Sequence, residues 1–438
     1  MALKLGANSI NKLYLGSTAI NKAYLGATVV FSGGAVPFSI ADLFASSEQG
    51  AWYDPSNIDT LFQDSAGTTP VTTAGEPVGL MLDKSGNDNH PIQATAAARP
   101  TYQVTPDRIT LDKVDDRMTV TVPTGGFTGT MVLATDQGTA SYGVNIPAGP
   151  YDIGSRGGQY FPGTALVGQL IRDGALSEGE SAATEAYFVE NGATAGYGSV
   201  TDFVEFWRDW SELTRFPLLD TSAGTRFNYA WYKCTSLTRF PLIDTSSGTN
   251  FSSTWRNCPS LTSFPLIDMS SGTNFDRAWR DCSSLTRFPL IDTSAGTNFS
   301  LAWEGCSSLT SFPLIDTSAG TDFSYAWQGC SSLTSFPLID TSAGTDFSYA
   351  WRGCTSLTSF PANIFDNVKG GNFTDAFTNT ALTETSIDNI LVSLVASGIS
   401  AGKRVFGQSG GSAPSSTGEA AIDTLRSRGW TVTVTGGY

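Results

Sequence analysis

The pattern of apolar and polar positions repeats every twenty-four residues from Phe203 to Thr380. Cysteine falls at Cys234, Cys258, Cys282, Cys306, Cys330 and Cys354, and tryptophan keeps the same step at Trp207, Trp231, Trp255, Trp279, Trp303, Trp327 and Trp351. One unit reads SSLTSFPLIDTSAGTDFSYAWQGC. In LTSFPL the apolar residues Leu333, Phe336 and Leu338 take the first, fourth and sixth places, which predicts a short strand with those three inward. One such strand per turn would stack in parallel about 4.8 Å apart. A Ser-Ala-Gly-Thr turn follows, and then Phe347, Ala350, Trp351 and Cys354 fall at offsets 0, 3, 4 and 7. That spacing predicts the apolar stripe of a short helix, capped by Thr345 or Asp346. A fixed period of this length predicts a solenoid, in which each unit buries its apolar face only against its neighbours.

Both ends of the array are altered, as capping turns should be. Trp210 stands at the cysteine position of the first turn, after Phe203, Phe206 and Trp207; Phe373, Ala376 and Phe377 keep the stripe in the last, and Thr380 replaces cysteine. Beyond it, a helix is expected from Thr385 or Ser386 with Ile387, Ile390, Leu391 and Leu394 on one face, stopped by Gly398. Ser416 and Glu419 predict a capping box on a second helix ending near Gly429, and residues 430–434 a last strand.

Residues 1–31 carry a ten-residue repeat, LGANSINKLY, LGSTAINKAY and LGATVVF, in which Gly6, Gly16 and Gly26 alternate with β-prone runs. Three small strands are too few for an independent core. They read either as a β-meander packed on the next domain or as a segment that attaches the chain to a larger assembly. SGGAVP at 32–37 reads as a linker, and residues 38–197 as a middle unit with a capping box at Ser177 and Glu180.

Three resemblances follow from these motifs. LTSFPL matches the LxxLxL core of a leucine-rich repeat, and SLTSFPLIDTSAGT followed by FxxAWxxC resembles the BspA-type repeats carried by bacteriophage proteins. DLFASSEQGAWYDPSNIDTLFQDSAGTTPV, VGLMLDKSGNDNHPIQATAAARPTYQ, VDDRMTV and LVGQLIRDGALSEGESAATEAYFVENGA resemble segments of laminin-G/concanavalin-like domains in phage structural proteins. That family is a β-sandwich. Between Arg117 and Leu166 the chain is shorter than the family, so a reduced β-domain rather than a complete two-sheet sandwich is expected. The N-terminal LG…INKxYLG and the C-terminal AIDTLRSRGWTVTV are similar to the ends of phage tail-associated and repeat proteins. The expected fold class is multi-domain and β-rich, a small β-domain followed by a leucine-rich-repeat α/β solenoid of 24-residue turns. The expected divisions are 1–35 (attachment), 36–197 (β-domain), 198–384 (solenoid) and 385–438 (capping unit).

Charge then narrows the function. A formal net charge of −15 argues against a duplex nucleic-acid partner, which needs a basic face. No apolar run approaches eighteen residues, so no membrane insertion is expected, and MALKLGANSINK lacks an apolar core and a cleavage site, so no secretory signal is expected in it. The six cysteines share one inward position, which predicts a column of free buried thiols rather than disulfides, and their spacing does not suit zinc. No cofactor is expected.

Candidate chemistry is sparse. Asp83, Asn87, Asp88 and Asn89 in LDKSGNDNH are hard oxygen ligands in a glycine-containing turn, a weak calcium candidate that can equally be a self-bonded Asx turn. His90 is the only histidine and has no nucleophile motif beside it. Asp220, Asp244, Asp268, Asp292, Asp316 and Asp340 form a carboxylate ladder, best explained if each accepts N–H bonds in its own turn. Two columns vary between repeats while the core does not, and they mix tyrosine with arginine as binding surfaces do. The candidate binding residues are Tyr229, Tyr232, Arg256, Arg277, Arg280, Tyr325, Tyr349 and Arg352. A strand-side column alternates Arg215, Arg239, Ser263, Arg287 and Ser311, beside a mildly apolar ribbon of proline and isoleucine.

The resemblance implies a bacteriophage virion structural protein, a tail fibre or tail tip component that binds a glycan or protein receptor on the host surface. Other virion tail proteins would be its partners through the N-terminal region, a homo-oligomer is an open possibility, and assembly would take place in the host cytoplasm. A purely architectural subunit, such as a capsid decoration or tail scaffold, is the alternative. A glycan-degrading enzyme ranks last, because the six repeat carboxylates are equivalent where an acid and a base need unlike environments.

Overall fold

The computed structural model describes residues 4–5, 8–9, 13–15, 18–20, 22–25, 28–32, 39–104, 107–110, 117–135, 139–146, 148–154, 165–173, 175–190, 200–217, 219–400 and 402–438. Most of the linker expected at 32–37 and the start of VDDRMTV lie outside them. The chain is β-rich and divides into two compact units, Met1–Glu48 and Gln49–Tyr438.

In the first unit the ten-residue repeat gives three antiparallel hairpins rather than three single strands. They are β1 (Lys4–Leu5) with β2 (Asn8–Ser9), β3 (Leu13–Leu15) with β4 (Thr18–Ile20), and β5 (Lys22–Leu25) with β6 (Thr28–Ser32). In each, pairing leaves two residues between the last partners, as in Leu5↔Asn8, Leu15↔Thr18 and Leu25↔Thr28.

The second unit opens with β7 (Gly50–Tyr53), β8 (Leu61–Phe62), β9 (Leu80–Met81), β10 (Thr101–Gln103), β11 (Arg108–Thr110), β12 (Arg117–Val122), β13 (Phe127–Thr135), β14 (Thr139–Ile146), β15 (Gly149–Gly154) and β16 (Ala165–Asp173). A seven-stranded sheet runs β10-β11-β16-β13-β14-β17, with β7 also on β16 and β17 being Leu213–Arg215. A second sheet joins β8, β9, β12 and β15 through bridges at Ile92. Met118, Val120 and Val122 of the second share one core with Met131, Leu133 and Ile171 of the first. The domain therefore has two sheets over one core, more than the reduced unit expected. Alternation puts Val132, Ala134 and Leu170 on the far face of the large sheet, where α1 (Glu178–Glu190) lies against β13 and β14. The capping box forms as expected: Glu180 N–H donates to Ser177 Oγ (3.3 Å), and Ser177 N–H to Glu180 Oε2 (2.8 Å).

The large sheet does not stop at the expected boundary near residue 197. Arg215 pairs with Gly143 of β14 on one side and with Arg239 of the next repeat on the other. Tyr142 seals the joint, its ring 4.8 Å from Trp210 and its hydroxyl accepting from Trp207 Nε1 at 3.3 Å. The first repeat is thus capped by the β-domain, and residues 49–438 form one body.

Successive 24-residue coils then stack in parallel register, from Asp202↔Arg226 to Asp346↔Asn372. Tryptophans stack at 5.1–5.7 Å up to Trp327, and each repeat's phenylalanine meets them edge-on. Two expectations are overturned here. No helix occurs among the described residues of 200–383. The N–H groups of Phe347, Tyr349, Trp351 and Gly353 donate to the next coil, at Asn372, Thr374, Ala376 and Thr378, while those of Ala350, Arg352 and Cys354 close four-residue turns onto the carbonyls of Phe347, Tyr349 and Trp351. A helix would send every N–H four residues back along its own axis. The stripe at 0, 3, 4 and 7 is buried as expected, but a ribbon of turns has the same spacing.

The other correction concerns Leu338, which is 54% exposed, while Ile339 beside it is buried. Ile339 N–H donates to Pro337 C=O at 3.0 Å, a three-residue turn that swings the leucine out and the isoleucine in. The proline also lacks a donor, and the expected strand shrinks to one bridge per coil.

The array closes on a parallel sheet of β18 (Gly371–Phe377), β19 (Arg404–Gln408) and β20 (Thr431–Thr433). The crossovers are the two expected helices, α2 (Glu384–Ala396), capped by Thr383, and α3 (Ser416–Ser427), capped by Ser415. Strand β19 was not expected.

Candidate functional site on the repeat face

The variable columns lie on the turn ribbon, and its backbone decides how they are displayed. Tyr229, Ser253, Arg277, Leu301, Tyr325 and Tyr349 all have positive φ, between 57° and 60°. Each sends its N–H to the next coil, as Tyr325 does to Ser348 C=O at 2.8 Å. The left-handed conformation costs an ordinary residue about 1–2 kcal/mol. A second left-handed column, four residues on, relaxes to glycine at Gly305, Gly329 and Gly353. The first column never does.

The eight candidate residues form three groups. Tyr229 and Tyr232 meet edge-on at 5.7 Å, and Arg256 lies 5.5 Å over the Tyr232 ring. Arg208 (5.3 Å) and Lys233 (5.1 Å) share that ring. In the middle, Arg277 bonds Asp276, and Arg280 Nε lies 2.7 Å from Glu304 Oε2, in contact but not aligned as a hydrogen bond. Burial raises the carboxyls of Asp276 and Glu304 above their usual range, although the arginines oppose it. Farther along, Tyr325 and Tyr349 stack at 4.6 Å with Arg352 5.4 Å over Tyr349.

Sequence reasoning missed Arg208, Lys233 and Asp276 as members of this face. Arg208 is Tyr232's position one coil earlier, so extending each column by one step would have found it.

The other candidates are held by the protein's own donors. Asp83 accepts from Trp52 N–H (2.8 Å), Ser85 N–H (2.8 Å) and Oγ (2.7 Å), and Asn89 N–H (3.1 Å). Asn87 and Asn89 donate their side-chain amides to Gly50 C=O, which staples the loop onto β7. His90 Nδ1 accepts from Asp83 N–H at 3.0 Å. Among the described residues no group of three His, Cys, Asp or Glu is placed to hold a metal ion. In the repeat ladder, Asp220, Asp244, Asp268, Asp292, Asp316 and Asp340 each accept from the N–H two residues on, at 2.8–3.1 Å. The six cysteines are free buried thiols, each donating to a tryptophan carbonyl of the preceding coil at 3.1–3.2 Å. No helix among the described residues is long and apolar enough to cross a membrane.

Comparison of the chain with protein-family models, with curated proteins and with solved structures gives no match.

Proposed function

We propose that this chain is a structural protein of a bacteriophage virion, a tail fibre or tail tip component whose repeat region binds a glycan or protein on the host surface. In this reading residues 198–384 are a leucine-rich-repeat solenoid of the BspA type, residues 36–197 a laminin-G/concanavalin-like domain, and residues 1–35 the attachment to other tail proteins. The role is binding rather than catalysis. The setting rests on the sequence resemblance alone. The binding role rests on one observation: bulky tyrosine, arginine and leucine side chains stand at left-handed positions where glycine would remove the strain, while the neighbouring left-handed column does turn to glycine. Apart from Ser253, which is buried, the side chains retained at these positions are explained by what they present outward.

The test is adsorption of the fluorescently labelled full chain to intact bacteria. A Tyr325→Ala/Tyr349→Ala/Arg352→Ala variant is run beside it. The full chain is used because Trp207 and Trp210 of the first repeat need Tyr142 of the β-domain. Saturable adsorption that the variant loses supports the reading. Equal adsorption by a folded variant, or none by either protein, favours the architectural subunit.

A further inference from the structure

A second face of the repeats carries a pattern that neither the core nor the tyrosine columns explain. Leu242, Leu266, Leu290, Leu314 and Leu338 are 54–62% exposed, one per coil and in register. The exposed column three residues before them drifts between arginine and serine, at Arg239, Ser263, Arg287, Ser311 and Ser335, yet the leucine is the same in all five coils and gives way only at the end of the array, to Ala362. Two residues beyond each leucine stands an exposed aspartate, Asp244, Asp268, Asp292, Asp316 or Asp340. Each carboxylate uses Oδ1 to hold its own turn, and Oδ2 takes no hydrogen bond or ion pair among the described residues. Grooves of about 360 and 390 Å³ open beside the ladder, one at Leu266, Asp268, Leu290 and Asp292, the other at Leu338, Asp340 and Ile364.

We propose that this leucine–aspartate ladder docks a cationic amphipathic α-helix of a partner protein. Its apolar stripe would lie along the leucines, and its lysines or arginines would face Oδ2 of the aspartates. Pitch supports a helix. The phenylalanine rings next to the ladder step by 5.8–6.0 Å per coil. An α-helix advances about 5.4 Å per turn, whereas same-face residues of a strand recur about every 6.7 Å. A helix therefore stays nearer to register over successive grooves. Four steps cover about 24 Å, the length of a helix of about 16 residues.

Width and charge favour such a partner over a second copy. A strip about 24 Å long and one side chain wide offers roughly 240 Å², well below the roughly 800 Å² per partner of a standard interface. Two copies, each at −15, would also repel. This inference is independent of the tyrosine face and of the host-binding reading.

The probe is a synthetic helix-forming peptide of about 18 residues with leucine on one face and lysine flanking it. Its binding to the full chain is followed by fluorescence anisotropy at two salt concentrations. A scrambled peptide of equal composition and a lysine-to-glutamate version serve as controls. The amphipathic lysine peptide should bind at least about tenfold more tightly than either control. Leu266→Glu/Leu290→Glu should remove that preference. Asp268→Asn/Asp292→Asn keeps an oxygen acceptor for the turn, and should weaken binding and flatten its salt dependence. Circular dichroism confirms that both variants fold. Equal binding by the scrambled peptide, or unchanged binding by either variant, overturns the proposal. So does self-association of the chain that Leu266→Glu/Leu290→Glu abolishes, because a second copy would then occupy the ladder.

Discussion

The β-domain and the repeats solve the same problem of buried polar groups in opposite ways. In the β-domain each solution occurs once. Asp54 is buried and takes Lys84 Nζ (2.6 Å), Ser56 Oγ (2.5 Å) and the Tyr187 hydroxyl (2.7 Å), the last from 133 residues away on α1. In the repeats a solution recurs from coil to coil, as with the cysteine thiols and with the Thr221, Thr245, Thr293 and Thr317 hydroxyls, which donate to the carbonyl of the aspartate one coil on, Met269 alone interrupting that column. Unlike contacts define one arrangement by themselves. Identical contacts do not, because a stack shifted by one coil would remake nearly all of them. Register must therefore come from the ends, from Tyr142 against Trp207 and Trp210 at one and β18–β20 at the other.

Alkali should break this comparison most strongly, because it acts on every coil together. Burial pushes the thiols up from their ordinary value of 9.0, Cys282 and Cys354 to about 12. A raised pKa contributes stability that is complete below the unfolded value and is lost as pH rises toward the folded one. Between about pH 9 and about pH 12 each such thiol should remove about 1.4 kcal/mol per pH unit. Urea unfolding from pH 7 to 11, with tryptophan fluorescence reporting the repeats, should show a steep fall that replacing all six cysteines by alanine makes shallow. The same thiols should resist alkylation at pH 8 until the chain is unfolded.

Single substitutions come next. Trp279→Ala removes a ring stacked at 5.7 and 5.5 Å on Trp255 and Trp303. Its indole N–H has no acceptor, so the loss is one of packing, about 3–5 kcal/mol by chemical denaturation. Nearest-neighbour stacking predicts that hydrogen exchange will quicken in adjacent coils and stay slow in α2 and α3.

Lys84→Met in the β-domain should cost about 3 kcal/mol, because it leaves Asp54 buried without its cation. Burial opposes ionisation of Asp54, but Lys84, Ser56 and Tyr187 outweigh it and hold its carboxyl below the usual range. The contribution is therefore present above the unfolded pKa and lost as pH falls through the folded one. In the variant, acid unfolding should begin at a higher pH.

The two regions also differed in how far they could be read. The period, the altered ends, the buried columns and the self-bonded aspartates were legible because repetition averages away local noise. The turn ribbon was not, since the Phe347, Ala350, Trp351 and Cys354 spacing suits a helix as well. Leu338 was misassigned because a three-residue turn at proline shifts the inward position by one. The joint to the β-domain was invisible, since Leu213–Arg215 looks like every later repeat and its partner Gly143 lies some seventy residues earlier. Of the candidate face, the columns were legible, but the left-handed backbone beneath them was not, because tyrosine, arginine and leucine do not announce positive φ.

That backbone supplies the smallest prediction and the sharpest one within the repeats. Leu301 has a φ of 57° and is only half-buried. Glycine there would remove a strain of about 1–2 kcal/mol and lose about 0.5–1 kcal/mol through the greater freedom of the unfolded chain. Leu301→Gly should thus leave stability unchanged or raise it by up to about 1 kcal/mol. Leu309→Gly, eight residues on and fully buried, should lose several kcal/mol by urea denaturation. If Leu301→Gly were instead as damaging as Leu309→Gly, the column would be packing its own coil. The case for side chains kept there for an outside partner would then fall with it.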